Sequence, residues 1–207
     1  MEIIPLKYGE SVLPEKMIFI NGEDNKVRDI VFKVYLIKAD RKLILVDAGC
    51  ETMPGFVMRN FIGPVKALES INISPEEIAD VVITHSHHDH IECVKYFKNA
   101  TIHIEKDEYE KGKKYIPDDF RLNIFSDEFN VCENVNVIKI GGHSRGSCIV
   151  EIKTDDKIHV ITGDECYLRE CLDKKIPTGS SFDKEKSRKF IEKYSDDKYT
   201  VLLCHDE

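Results

Sequence analysis

The sequence has no apolar run approaching the ~20 residues a helix needs to span a bilayer, and its first ten residues mix charges with a proline. Neither a transmembrane anchor nor a signal peptide is expected, and a cytoplasmic protein is the default. An excess of positive charge is missing as well. The 30 Lys and Arg against 38 Asp and Glu leave a formal charge of −8. Nucleic acid and anionic membrane both select for a basic face, so neither is an expected partner. The seven cysteines are odd in number and show no C-x-x-C spacing. A disulfide framework or a four-cysteine zinc site is not expected, and cysteines inside apolar runs read as small core residues. Repeats, low-complexity tracts and linkers are absent too, which leaves one domain over residues 1–207.

What is present is ordinary for a globular chain: 42% hydrophobic and 33% charged residues over 207 positions. Short apolar runs alternate with polar, helix-like stretches, which predicts a mixed α/β fold. Residues 31–38 and 42–46 read as a strand pair across a turn at Ala39–Asp40–Arg41. Further strands are expected at 81–84, 101–104, 135–140, 148–152, 157–162 and 199–204. Ser74-Pro75-Glu76-Glu77 has the serine cap, first-position proline and third-position glutamate of a helix start. Residues 183–194 read as an amphipathic helix, with Phe182, Phe190 and Ile191 on or near its apolar side.

Five of the apolar runs hand over a side chain able to bind metal. Leu43-Ile44-Leu45-Val46 leads to Asp47, Val81-Val82-Ile83-Thr84 to His85, and Val137-Ile138-Lys139-Ile140 through Gly141-Gly142 to His143. Val160-Ile161-Thr162 leads through Gly163 to Asp164, and Val201-Leu202-Leu203-Cys204 to His205. Strand ends on a rigid sheet can hold ligands in fixed geometry. The densest segment is His85-Ser86-His87-His88-Asp89-His90, whose imidazoles and carboxylate suit zinc and related divalent ions. A merely histidine-rich polar loop is the plainer reading. The separate strand ends that supply the same residue types weigh against it.

Thr84 to His90 matches the H-x-H-x-D-H motif of the metallo-β-lactamase superfamily. Leu45-Val46-Asp47-Ala48-Gly49 resembles that family's strand aspartate, and Gly142-His143-Ser144-Arg145-Gly146 its next histidine motif. Gly163-Asp164 resembles its bridging aspartate and His205 its last histidine, so five elements stand in family order. The resemblance implies an αβ/βα four-layer sandwich, two mixed sheets flanked by helices, with metals at one edge between the sheets. It implies two ions, zinc foremost, although iron, manganese or cobalt could take the same ligands. His85, His87 and His143 would hold one ion, Asp89, His90 and His205 the other, and Asp164 would bridge them. Asp47 would receive the second ring nitrogen of a ligand histidine.

Within that family the sequence is most similar to the N-acyl homoserine lactonases. Gly163-Asp164-Glu165-Cys166-Tyr167 resembles their aspartate-x-x-tyrosine element, and Phe182-Asp183 followed by a helix and Leu202 to Glu207 resembles their tail. The implied activity is a quorum-quenching one: a metal-bound hydroxide opens a lactone or similar small ester, with Asp89 and Tyr167 as catalytic residues. For Tyr167 the competing reading is a core or rim tyrosine with an ordinary hydrogen bond. True metallo-β-lactamases generally carry cysteine where this sequence has Asp164. Departures from the lactonases are Ile91-Glu92 after the motif, Arg145 and Ser147 after His143, Cys204, and a short stretch between Asp47 and His85. Hydrolysis of another ester, a thioester or a phosphodiester on the same centre is the alternative, as is metal binding without catalysis. Seven candidate ligands exceed the four a closed structural zinc site needs. His88, at the variable motif position, is expected to be exposed or substrate-facing. His103 and His159 are expected to be solvated strand residues.

Overall fold

The computed structural model describes residues 1–39 and 41–207. The turn expected at Ala39–Asp40–Arg41 includes Asp40 and lies outside the described residues. Among the described residues eleven strands form two sheets: β1 (Glu2–Pro14), β2 (Val27–Ala39), β3 (Lys42–Val46), β4 (Asp80–Ile83), β5 (Thr101–Glu105) and β6 (Arg121–Phe125) make the first, in that order. The second runs β11 (Tyr199–Leu202), β10 (Ile158–Ile161), β9 (Cys148–Lys153), β8 (Val135–Lys139) and β7 (Glu128–Cys132). Pairing is antiparallel from β1 to β3 and parallel from β3 to β6, and in the second sheet only β10 and β11 run parallel.

Period-two alternation explains how the layers close. Val46 and Val82 of the first sheet share one buried cluster with Val137, Val150 and Ile161 of the second, which makes that cluster the inter-sheet core. Their strand neighbours Leu45, Val81 and Ile149 belong to the other cluster, with the helices. Both faces of the central strands are therefore covered, so these strands read as unbroken apolar runs. Among the described residues six α-helices complete the layers: α1 (Glu15–Ile18), α2 (Pro64–Glu69), α3 (His88–Ile91), α4 (Lys106–Gly112), α5 (Arg169–Asp173) and α6 (Lys184–Tyr194). Asp183 caps α6 by accepting from the N–H groups of Glu185 and Lys186, and Phe190, Ile191 and Tyr194 bury its inner face. Each such side chain contributes about 1.5–3 kcal/mol on burial. The architecture is the αβ/βα four-layer sandwich. Among the described residues no helix is long and apolar enough to cross a membrane.

Three expectations are corrected here. The helix start at Ser74 yields a single 3-10 turn, Pro75–Glu77, although its capping box forms as spelled. Ile78 is already extended and buried, because Asp80 must enter β4 two residues later. Phe182 is 58% exposed beneath the Arg145 guanidinium, whereas Phe190 and Ile191 are buried. His103 is not solvated: it is buried, stacks on Phe129 of the second sheet, and pairs with Asp80 at 2.8 Å. It does face away from Ile102 and Ile104, but the opposite face of this sheet is covered by the other sheet. His159 is half-buried. Cys50, Cys93, Cys148, Cys166, Cys171 and Cys204 are buried thiols.

Candidate metal centre

The parallel strands β3 and β4 deliver Asp47 and His85 side by side at one edge of the first sheet. Asp47 adopts a left-handed backbone (φ 62°), a region aspartate enters more readily than most residues. Its amide N–H donates to the Val82 carbonyl, which turns the carboxylate inward toward the end of β4. The second sheet brings His143 from the loop between β8 and β9, Asp164 from the turn after β10 and His205 from beyond β11. Gly163 takes φ +51° before Asp164, and a Cβ there would lie 2.8 Å from Thr84 Oγ1. Glycine lets the two sheets approach at this point.

The structure brings all seven expected ligands together in two groups. His85, His87, His143 and Asp164 form one, Asp89, His90 and His205 the other, each with its ligand atoms within 4.8 Å of one another. His87 Nδ1 lies 3.0 Å from His85 Nε2 and 2.9 Å from His143 Nε2. Asp164 Oδ2 is 3.6 Å from His85 Nε2 and 3.4 Å from His143 Nε2. Its Oδ1 is 3.1 Å from His90 Nε2 and 3.0 Å from His205 Nε2, so the two oxygens divide between the groups.

The remaining ring nitrogens settle which atoms are free to bind. His143 Nδ1 donates to the Ser180 carbonyl at 2.7 Å and His205 Nδ1 to the Val31 carbonyl at 2.9 Å. His90 Nδ1 donates to Asp47 Oδ2 at 2.7 Å. His85 Nδ1 donates to Thr84 Oγ1 at 3.1 Å, and that hydroxyl passes its own hydrogen to Asp47 Oδ2. Each Nε2 is thereby the nitrogen that faces the centre of the group, toward other ring nitrogens or a carboxylate. His90 Nε2 is buried and without a hydrogen bond. Such a set is repulsive without a cation at its centre. Its 2.9–3.6 Å spacings in the three-histidine group suit donors around one zinc, which stand roughly 3.3 Å apart in a tetrahedral site. The residues fit divalent ions, and the tautomers are fixed from outside the site, as ligand histidines usually are.

The electrostatics agree. Burial opposes a charge on His90, yet Asp164, Asp47 and Asp89 together hold its pKa well above the usual value. Burial, aided by His90, holds His85 well below it. Asp164 is pushed up by burial but held well below the carboxylate range by His90, His205, His85 and His143.

Tyr167 lies 4% exposed, stacked on His205 with ring centroids 5.3 Å apart, and its hydroxyl donates to Asp164 Oδ2 at 2.8 Å. Burial and the Asp164 carboxylate keep that hydroxyl protonated. His88 stands beside the ligands, its ring nitrogens bonded to Tyr115 Oη and the Thr52 carbonyl. A cavity of about 260 Å³ opens onto the group. His87, Asp89, His143, Asp164, Tyr167 and His205 line its floor, while Leu13, Met17, Ile30, Phe32, Met53 and Phe56 make its walls. Most of that wall comes from β1, α1 and β2, where no sequence pattern marked it.

Two buried glutamates were also invisible in the sequence. Glu165 Oε1 accepts from the Gly142 and His143 amides and from Ser147 Oγ, while burial pushes its carboxyl up to about 7. Ser147, a departure from the lactonase pattern, therefore has a place in the His143 loop. Glu108 binds the loops that carry His85, His87 and His143.

Comparison with known proteins follows the same lines. The chain is 29% identical over 163 residues to a probable metallo-hydrolase of Methanocaldococcus jannaschii, covering 79% of this chain and 70% of that protein. It is 25% identical over 203 residues to an N-acyl homoserine lactonase of Bacillus cereus, covering 83% and 80%. Its fold is similar to that of an N-acyl homoserine lactone hydrolase with N-hexanoyl-L-homoserine bound at the catalytic metal centre. The TM-score is 0.84 at 20% identity, over 99% of this chain and 92% of that one. Residues 33–205, which include every strand-end candidate ligand described above, match the metallo-beta-lactamase superfamily, and the chain belongs to that family.

Proposed function

We propose that this protein is a binuclear metal hydrolase, zinc-dependent in the first instance, that opens a lactone or similar small ester carrying an apolar substituent. The observation that carries the reading is the cavity: a polar floor of ligand residues under walls of leucine, isoleucine, methionine and phenylalanine. A small-molecule site is typically of this kind, mostly apolar with a few convergent polar groups. Its lining includes no lysine or arginine, the groups that would clamp a phosphodiester, so an ester or lactone fits better.

His85, His87 and His143 would hold one ion, Asp89, His90 and His205 the second, with Asp164 between them. Two such ions supply an acidified water and a polarised carbonyl. The chain's own residues supply the rest. Asp47 and the Ser180 and Val31 carbonyls hold the imidazoles in the ligating tautomer. Tyr167 keeps its proton and can donate to the carbonyl oxygen as charge builds there, a contact stronger in the transition state than before it. Asp89 turns Oδ2 toward His90 and His205, and Oδ1 can take the proton released by the attacking water and return it to the departing oxygen. The acyl group rests against the Phe32, Met53 and Phe56 wall. Similarity to proteins named N-acyl homoserine lactonases supports this substrate class.

Elemental analysis of the purified protein, followed by lactones, esters, thioesters and phosphodiesters assayed on that sample, tests the reading. About two metals per chain and fastest turnover of a lactone or ester with an apolar tail are expected. A folded, fully loaded protein with one metal would refute the binuclear centre. A two-metal protein that cleaves only phosphodiesters would refute the substrate class.

A further inference from the structure

Beside the ligand histidines lies a buried carboxylate that the chemistry above does not use. Glu108 stands in the first turn of α4, which begins where β5 ends, and β5 runs parallel to β4. Parallel pairing sets the residues beyond β5 next to those beyond β4. Glu108 Oε2 accepts from Ser86 twice, from its N–H at 2.9 Å and its Oγ–H at 2.7 Å. Ser86 lies between His85 and His87. Glu108 Oε1 reaches the other sheet's loop, accepting from Ser144 Oγ at 2.7 Å and the Gly146 N–H at 2.9 Å. Ser144 follows His143. The residue is 1% exposed, and a Cβ on Gly146 would lie 2.9 Å from its Cγ.

We propose that Glu108 is a positioning residue that locks the His85–His87 segment of one sheet to the His143 loop of the other, fixing the spacing of the three-histidine metal site. This rests on the metal-centre reading above. A carboxylate is costly to bury unless its oxygens are satisfied, and here four donors satisfy it, two from each ligand-bearing loop. A lone hydrogen-bonded glutamate within one loop would rigidify that loop only. Glu108 instead spans the gap across which the histidines must keep their distance, beside the backbone bond from the Cys148 N–H of one sheet to the Thr84 carbonyl of the other. Partners just outside a metal's ligands commonly control its affinity in this way.

Glu108→Gln tests the assignment with little change in volume. Whichever way the amide is placed, its NH₂ group faces a backbone N–H, that of Ser86 or that of Gly146. The full chain, stripped of metal, is titrated with Zn²⁺ and Co²⁺ in competition with a chromophoric chelator. One of the two affinities is expected to fall roughly 10- to 100-fold, with an altered Co²⁺ visible spectrum, while the other stays close to wild type. Ser144→Ala removes one of the four bonds and should shift the same affinity less. Glu110→Gln, exposed on the same helix, should shift neither. Wild-type affinities and spectrum in Glu108→Gln, with only a lower melting temperature, would overturn the assignment. Should that variant not fold, unchanged metal binding by Ser144→Ala would overturn it instead. A wild-type chain that takes up fewer than two metals is a different result, and it overturns the metal-centre reading together with the clamp.

Discussion

Asp80 opens β4 and meets the imidazole of His103 on β5, while Asp47 meets the imidazole of His90 just past the other end of β4. Both pairs are buried, and both bring a carboxylate to 2.7–2.8 Å of a ring nitrogen. They differ at the second nitrogen. His103 Nδ1 accepts from Asn123 at 3.1 Å, and Asp80 keeps its other oxygen on Lys42 at 3.2 Å, so that group is complete in itself. His90 Nε2 has no hydrogen bond and faces Asp164 and Asp89. A buried histidine–aspartate pair is thus structural when both nitrogens are matched. It is suited to bind a metal when one nitrogen is anchored and the other is left facing acceptors.

The strongest test of that contrast is at the shared carboxylate. Asp164→Ala should lower metal content and hydrolysis together, the latter by about 100-fold or more. Full metal loading with full activity would remove Asp164 from the ligand set and erase the distinction between the two ends. Tyr167→Phe sharpens the picture within the metal end. It should keep both metals and the fold yet lose roughly 10- to 1,000-fold in kcat/KM on its best substrate. Wild-type kinetics on every substrate tested would leave the tyrosine a packing role alone.

The smallest functional effect belongs to the other pair. His103→Gln should bind two metals and turn over normally while losing about 1–3 kcal/mol of stability, because Asp80 loses a buried partner. Its pH signature follows from the Asp80 carboxyl, which burial raises but the bonds from His103 and Lys42 hold below its ordinary value. A lowered folded pKa adds stability above the unfolded value of about 3.9, and that share vanishes as pH falls through the folded one. Acid titrations of melting temperature for wild type and Asp80→Asn should therefore differ at neutral pH and converge in strong acid. A gap that stays constant down to the acid limit would show that charge at Asp80 is not the source.

How much of this could be read from the residues alone depends on what each inference required. Strands buried on both faces announced themselves as apolar runs, and residues 42–46 form β3 over the expected span. The first strand did not: Glu2–Pro14 alternates exposed and buried residues, contains prolines, and shifts register between Lys7 and Gly9. β6 and β7 lie at sheet edges, and polar residues interrupt their apolar ones, so no unbroken apolar run marks them in the sequence. His103 shows the limit most clearly. Period two fixes that its side chain opposes Ile102 and Ile104, but not whether water or a second sheet covers that side.

The sequence by itself determined the types of the candidate ligands, their order and their delivery just past strand ends, since apolar runs and metal-competent side chains are local and chemically distinctive. Only the tertiary structure decided which imidazole nitrogens are free to bind. Two of their anchors are the carbonyls of Val31 and Ser180, and every residue carries a carbonyl, so no spelling marks these two. The same holds for Glu108 and for the cavity wall from β1, α1 and β2. Glutamate and leucine are ordinary residues, given their place at this centre by contacts between segments far apart along the chain.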